Sequence, residues 1–252
     1  MDRFVDLHQH VLWGIDDGPQ TPEEMYALLQ KDAEQGIGTV AATSHAMPGV
    51  RPFDLALYMQ RLEEAQTYCA REKLPLRIIA GAEILYTPLT LSMLLDHKIP
   101  TIGNSEYILL EFWEKIDRDS FENAIGQLFR HGFIPIIAHI ERYRLFWRDL
   151  IFLQSIKEKY SVCYQMNCDF ALKRSIPASL LTHRLLHKQI VDIFATDAHN
   201  LTSRQPRMAE AFRFFSEREN TQALELFVMQ NQFDFGGIYD GKAKKTHPDC
   251  EQ

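Results

Sequence analysis

Short runs of consecutive apolar residues alternate along this chain with longer stretches whose apolar positions recur every three or four residues. The first pattern predicts strands buried on both faces, and the second predicts amphipathic helices. Phe4-Val5-Asp6-Leu7 opens the chain as a strand. Thr21-Pro22-Glu23-Glu24 then reads as a capping box with proline at the first helical position, and Met25, Leu28 and Leu29 form the apolar stripe behind it. Further strands are predicted at 39–43, 76–80, 107–110, 134–138, 162–166 and 191–195. Pro135 weakens the fifth strand, because proline belongs at a first or edge position. Helices are predicted over 54–72, 121–129, 150–160, 178–186, 205–216 and 222–229, with a short one near 89–95.

Wholly apolar strands alternating with helices imply parallel pairing with both faces covered. About seven such units suit an α/β barrel or a large open sheet. No linker rich in Pro, Gly or Ser interrupts them, so residues 1–235 read as one domain. Residues 236–252 are polar and are expected to be a disordered tail.

The 252 residues, 46% of them apolar, are enough for a sizeable core. A net charge of −7 makes nucleic acid or an anionic membrane a poor partner. No run approaches the roughly 20 apolar residues that span a bilayer, and the N-terminus carries no secretory pattern. Cys69, Cys163, Cys168 and Cys250 form neither a CxxC pair nor a disulfide framework. The expectation is a cytoplasmic protein with reduced thiols.

The chemistry lies where the strands end. The first ends in His8-Gln9-His10, with Asp16-Asp17-Gly18 following. Alternate residues of an extended chain face the same side, so His8 and His10 can grip one ion. The later strands end in His45, Glu83, Glu111, His139, Asn167 with Asp169, and Asp197 with His199. The C-terminal ends of parallel strands form one face, where active sites assemble. Each residue alone has an ordinary reading: a hydrogen-bonded histidine, a turn aspartate, a glutamate paired with an arginine. Together they require a coincidence at six strand ends. Imidazoles and carboxylates without thiolates favour Zn, Mn, Fe or similar divalent ions. The candidates His8, His10, Asp17, His45, Glu83, Glu111, His139, Asp197 and His199 suit two or three ions, the machinery of phosphate-ester hydrolysis.

Arg142 follows His139 by three residues and can bind phosphoryl oxygens with its guanidinium fork; Arg204 is a second, weaker anion-binding candidate. Cys168 and Arg174 have the C-x5-R spacing of thiol phosphatases. The intervening residues include no glycine, and Asp169 beside the sulfur raises its pKa, so the spacing reads as chance.

His8-Gln9-His10, Asp16-Asp17-Gly18-Pro19, Thr43-Ser44-His45, Gly81-Ala82-Glu83, Leu110-Glu111-Phe112, Ala138-His139-Ile140-Glu141-Arg142-Tyr143 and Thr196-Asp197-Ala198-His199-Asn200 resemble the motifs of the PHP (polymerase and histidinol phosphatase) family. Within it, the chain resembles the bacterial manganese-dependent protein tyrosine phosphatases of capsule and exopolysaccharide synthesis, from about residue 3 to residue 230. The resemblance implies a distorted (β/α)7 barrel with a trinuclear metal centre, Mn2+ first with Fe, Zn or Mg as alternatives. It implies that the nine candidates are metal ligands, with Asp16 the alternative to Asp17, and that Arg142 contacts phosphate. The implied substrate is phosphotyrosine, typically on a tyrosine autokinase that regulates polysaccharide export. Ala46-Met47-Pro48 departs from the basic residue or second histidine that often follows the third-motif histidine. The expected chemistry is attack by a metal-activated hydroxide, with Arg142 stabilising charge and His199 a candidate proton donor. The alternatives are a small-molecule phosphatase of the same fold, acting on histidinol phosphate for example, another barrel hydrolase, and a non-catalytic barrel that binds a kinase.

Overall fold

The computed structural model describes residues 3–229. The chain runs β1 (Phe4–Gln9), α1 (Pro22–Glu34), β2 (Ile37–Ala42), β3 (His45–Ala46), α2 (Leu55–Arg71), β4 (Arg77–Ala80), β5 (Glu83–Leu85) and α3 (Thr90–Leu95). It continues through β6 (Tyr107–Glu111), α4 (Arg118–Arg130), β7 (Ile134–Ile137), α5 (Leu150–Tyr160), β8 (Cys163–Asn167), α6 (Cys168–Ala171), α7 (Ile176–His187), β9 (Ile193–Ala195), α8 (Met208–Ser216) and α9 (Thr221–Met229). Thr21 caps α1 through its side chain, with Pro22 at the start of the helix. The expected polar tail from residue 236 lies outside the described residues.

Every strand pair is parallel. The strands form two sheets, β1-β2-β4 and β3-β5-β6-β7-β8-β9. These are the strands expected from the sequence, with the second and third each broken in two. The breaks fall at Thr43-Ser44 and Gly81-Ala82. The buried Tyr58 hydroxyl joins them, donating to the Ala42 carbonyl at 2.8 Å and accepting from the Gly81 N–H at 2.9 Å. Gly81 has no room for a side chain, since a Cβ there would lie 2.8 Å from Ile102 and 3.1 Å from Thr43. Beyond the breaks the chains pair again, His45 opposite Glu83. The breaks thus set two polar residues side by side on the same face.

Of the expected distorted (β/α)7 barrel, the parallel strands and covering helices are present, and the ladders form two sheets that do not close. The breaks are the physical reason for the split. At the far edge, β1 and the segment after β9 come together: Asp197 N–H donates to the His8 carbonyl at 2.8 Å, and His10 N–H to the Ala198 carbonyl at 2.9 Å. The fold is a single-domain α/β structure with parallel sheets. Pro135 fits inside β7 because Ile134 and Ala138 direct their N–H groups toward β6. Proline's missing donor therefore faces β8, whose ladder begins only at Ile136 opposite Cys163.

Helices pack outside the strands. Leu28, Leu29, Leu62, Ala65, Leu128 and Leu153 are all buried within the main apolar cluster. A smaller cluster, including Leu7, Ala41, Ile79, Leu109, Ile136 and Ile193, fills the space between the strands. No helix among the described residues is long and apolar enough to cross a membrane.

Candidate metal centre

The strand ends converge as expected. Three groups of ligand atoms lie close enough to share an ion: His8, His10 and Asp197; His10, Asp17, His45 and His199; and His45, Glu83 and Glu111. His10 and His45 each belong to two groups, so the groups are contiguous. Glu83 sits at the centre. Its carboxylate is 3.4 Å from His8 Nε2, 3.2 Å from His10 Nε2, 3.0 Å from His45 Nδ1 and 2.8 Å from His139 Nε2. Glu111 approaches from the outer side, 3.4 Å from His139 Nε2. All nine sequence candidates are therefore brought together.

The imidazoles are oriented from behind. His8 Nδ1 bonds to Gln165 Oε1 at 3.0 Å, His10 Nδ1 to Asp16 Oδ2 at 2.8 Å, and His199 Nδ1 to the Asp197 carbonyl at 2.9 Å. Each partner is an acceptor, so each Nδ1 keeps its proton and each Nε2 faces the cluster as the nitrogen free to become a ligand. Asp16 thus supports His10, while Asp17 faces His45 and His199 at 3.4 and 3.2 Å. This separates the roles of the two adjacent aspartates. Gly18 lets their loop approach, since a Cβ there would lie 2.4 Å from the His10 carbonyl oxygen. Gln165 also accepts from the His139 N–H at 2.8 Å and donates to Asn167, which donates to Asp197 at 2.8 Å.

Sequence reasoning missed Gln165, whose one signal is a polar residue inside the apolar run Tyr164-Gln165-Met166. It also missed the backbone. His139 (φ 35°) and Asp197 (φ 53°) both occupy the left-handed region, which non-glycine residues enter at a cost.

Charge and burial press against each other here. Burial alone would drive protons off His8 and His10, but Glu83 and Asp197 outweigh it at His8, and Asp16 and Glu83 at His10, which rises to about 9. His45 rises to about 10, because Asp17 and Glu83 overcome its burial. Burial resists ionisation of Glu83 and Asp197, yet the surrounding imidazoles, His8 foremost, hold both carboxyls below their ordinary range. The nearby imidazoles of His199 and His45, 3.2 and 3.4 Å away, hold Asp17 low. Glu111 goes the other way, to about 7, through burial and its neighbour Glu83. The carboxylates call for positive charge, and protons on imidazole supply it. A divalent cation satisfies the same demand and displaces those protons. His199 Nε2 points the same way: it is buried with no hydrogen-bond partner among the described residues, despite lying 3.2 Å from Asp17. The donor set therefore fits divalent ions of the nitrogen- and oxygen-liganded kind.

Beside the cluster opens a cavity of about 520 Å³. Arg142 and Arg204 line it and both reach Asp197, at 2.6 and 2.7 Å. Their side chains remain 38% and 34% exposed where they line the cavity, so neither is fully enclosed by its bond to Asp197. Cys168 takes no part. It is fully buried with its sulfur 3.7 Å from Met208, and burial, Asp6 and Asp169 push its thiol far up.

Comparison with known proteins places the chain in a family. The capsular polysaccharide synthesis family CpsB/CapC matches residues 4–235. The chain belongs to the CpsB/CapC family. It is 30% identical over 232 residues to the tyrosine-protein phosphatase CpsB of Streptococcus pneumoniae, covering 89% of this chain and 95% of that one. It is 28% identical to CpsB of Streptococcus agalactiae, over 88% of this chain and 96% of the relative. Among solved structures, that of the metal-dependent tyrosine phosphatases YwqE of Bacillus subtilis and CpsB of S. pneumoniae superposes with a TM-score of 0.76. The identity there is 24%, with 90% of this chain and 94% of the other covered, which establishes a shared fold.

Proposed function

We propose that this CpsB/CapC member is a metal-dependent protein tyrosine phosphatase that acts on the phosphotyrosines of a tyrosine autokinase governing capsule or exopolysaccharide synthesis. One observation carries the reading: three contiguous ligand groups lie beside a cavity into which Arg142 and Arg204 open. The catalytic unit is residues 1–235, a distorted (β/α)7 barrel working in the cytoplasm, and the ions are two or three divalent metals, Mn2+ first.

His8, His10, Asp17, His45, Glu83, Glu111, His139, Asp197 and His199 would hold the ions. When bound, divalent ions supply an acidified water as nucleophile and neutralise phosphoryl charge. The chain's own residues do the rest. Arg142 and Arg204 take the phosphoryl oxygens while Asp197 fixes their positions. Gln165 and Asp16 keep the Nε2 lone pairs of His8 and His10 aimed inward. His199 holds its proton at Nδ1, on the Asp197 carbonyl, which leaves Nε2 as a ligand. Tyrosinate, whose conjugate acid has a pKa near 10, leaves with less protonation than an alkoxide needs.

Side-by-side turnover of a phosphotyrosine peptide and histidinol phosphate tests the reading. The peptide is expected to win in kcat/KM by roughly a hundredfold, since a buried polar site discriminates strongly against the wrong ligand. Preference for histidinol phosphate would overturn it.

A further inference from the structure

The cavity beside the metal centre is larger than one phosphoryl group requires. Its 520 Å³ falls within the roughly 300–1,000 Å³ of sites that bury a drug-sized ligand. Arg142 and Arg204 occupy the end at Asp197. The remaining wall carries two further cations, each set on an aromatic ring. The Arg144 guanidinium lies 5.8 Å from the Trp147 ring centre, and Lys173 Nζ lies 5.1 Å from that of Phe170. All four side chains line the cavity.

Neither Arg144 nor Lys173 forms an ion pair among the described residues. The nearby carboxylates are engaged elsewhere. Asp197 holds Arg142 and Arg204, and Asp169 pairs with Arg207 at 3.1 Å. Glu141 is buried. Glu114 alone of the lining carboxylates is exposed with no ion pair among the described residues, so one negative charge is set against the two cations. The wall therefore keeps unneutralised positive charge after a phosphoryl group has been seated. Contact with an aromatic face also restricts each long cation, so less freedom is lost when an anion arrives.

We propose that Arg144 with Trp147, and Lys173 with Phe170, form a flanking subsite for a second anionic group of the phosphotyrosine peptide. That group is an acidic side chain or a second phosphotyrosine. This inference rests on the phosphatase reading and names the substrate class within it. It runs against the whole-chain electrostatics, since a net charge of −7 by itself disfavours acidic peptides.

The test is kcat/KM for phosphotyrosine peptides of one length, flanked by Ala, Glu or Lys, and for a doubly phosphorylated peptide. Affinities of the corresponding non-hydrolysable phosphonate peptides are measured alongside. The Glu-flanked and doubly phosphorylated peptides are expected to exceed the Ala-flanked one by roughly fivefold, the scale of two partly exposed ion pairs, with the Lys-flanked peptide lowest. Arg144→Gln with Lys173→Gln is expected to bring the ratio close to one through KM, and Glu114→Gln to widen it. Both cations are exposed, so the fold is expected to survive the double change. Equal values across the series, or a preference that survives the double variant, would overturn the subsite. A gain for the doubly phosphorylated peptide alone identifies phosphate as the second anion. If no peptide is hydrolysed but the phosphonates keep the charge order, the subsite stands and the phosphatase reading falls.

Discussion

The floor and the rim of the candidate metal centre are built differently. On the floor, the side chains of His8 and His10 are 0% exposed, Glu83 2% and Asp197 3%. On the rim, Asp17 is 58% exposed, His45 25% and Glu111 21%. Floor residues are held from behind by Gln165, Asp16 and Asn167. Rim side chains lean inward on buried residues, His45 on Glu83, Glu111 on His139 and Asp17 on His199, and are otherwise open to solvent. A buried ligand with a hydrogen-bonded support pays little reorganisation when an ion binds, whereas an exposed one is free to adjust to substrate. The floor is therefore expected to set metal affinity, and the rim to tune turnover.

Glu83→Gln cuts deepest into this contrast, because Glu83 approaches four imidazoles. Loss of metal and a fall of roughly a thousandfold in phosphotyrosine turnover are expected, measured by elemental analysis and phosphate release. Glu111→Gln on the rim is expected to cost only about ten- to a hundredfold and to retain most of the metal. Equal losses of metal in the two variants would erase the distinction between floor and rim.

Gln165→Leu tests the support itself. It leaves His8 Nδ1 and the His139 N–H without their acceptor. Metal affinity is expected to weaken by about ten- to a hundredfold, and calorimetric titration reads this directly. Unchanged affinity would mean that packing alone holds the rings.

A smaller effect concerns Glu141, buried behind the cavity, with Oε2 lacking a hydrogen-bond partner. Burial raises its carboxyl from 4.5 to about 7, against the pull of its own backbone and Arg142. The folded protein then keeps a proton that the unfolded chain has lost, so this group costs stability as pH rises from 4.5 to about 7. Glu141→Gln is expected to gain about 1 to 3 kcal/mol on the parent between pH 5 and pH 8. Thermal melts of the metal-free proteins with parallel pH profiles would contradict this. The smallest effect is at Cys168, where Ser should leave turnover within about twofold, because a neutral thiol packed on Met208 is no nucleophile.

The strands and the clustering His, Asp and Glu residues were legible because their signal is local. An apolar run followed by His, Asp or Glu can be read without knowing what it faces. The capping box at Thr21 is of the same kind. The breaks in the second and third strands were not legible, because Tyr58 holds them from another helix and Gly81 is confined by Ile102. Gln165 and the split between Asp16 and Asp17 were hidden for the same reason: each depends on a partner distant in sequence or on the path of one loop. The left-handed turns at His139 and Asp197 have no glycine to announce them. The cavity wall combines residues from four separate strand-end segments, and no spacing rule joins Arg144 to Lys173.

If the buried floor holds the ions that make the site a phosphatase, turnover must follow bound metal. The direct measurement is phosphotyrosine release by the full chain after chelation, and again after stepwise return of Mn2+ with bound metal counted at each step. Release is expected to vanish on chelation and to recover as two to three ions rebind, within the range such clusters carry. Undiminished release from metal-free protein, or full metal occupancy with no release, would contradict it.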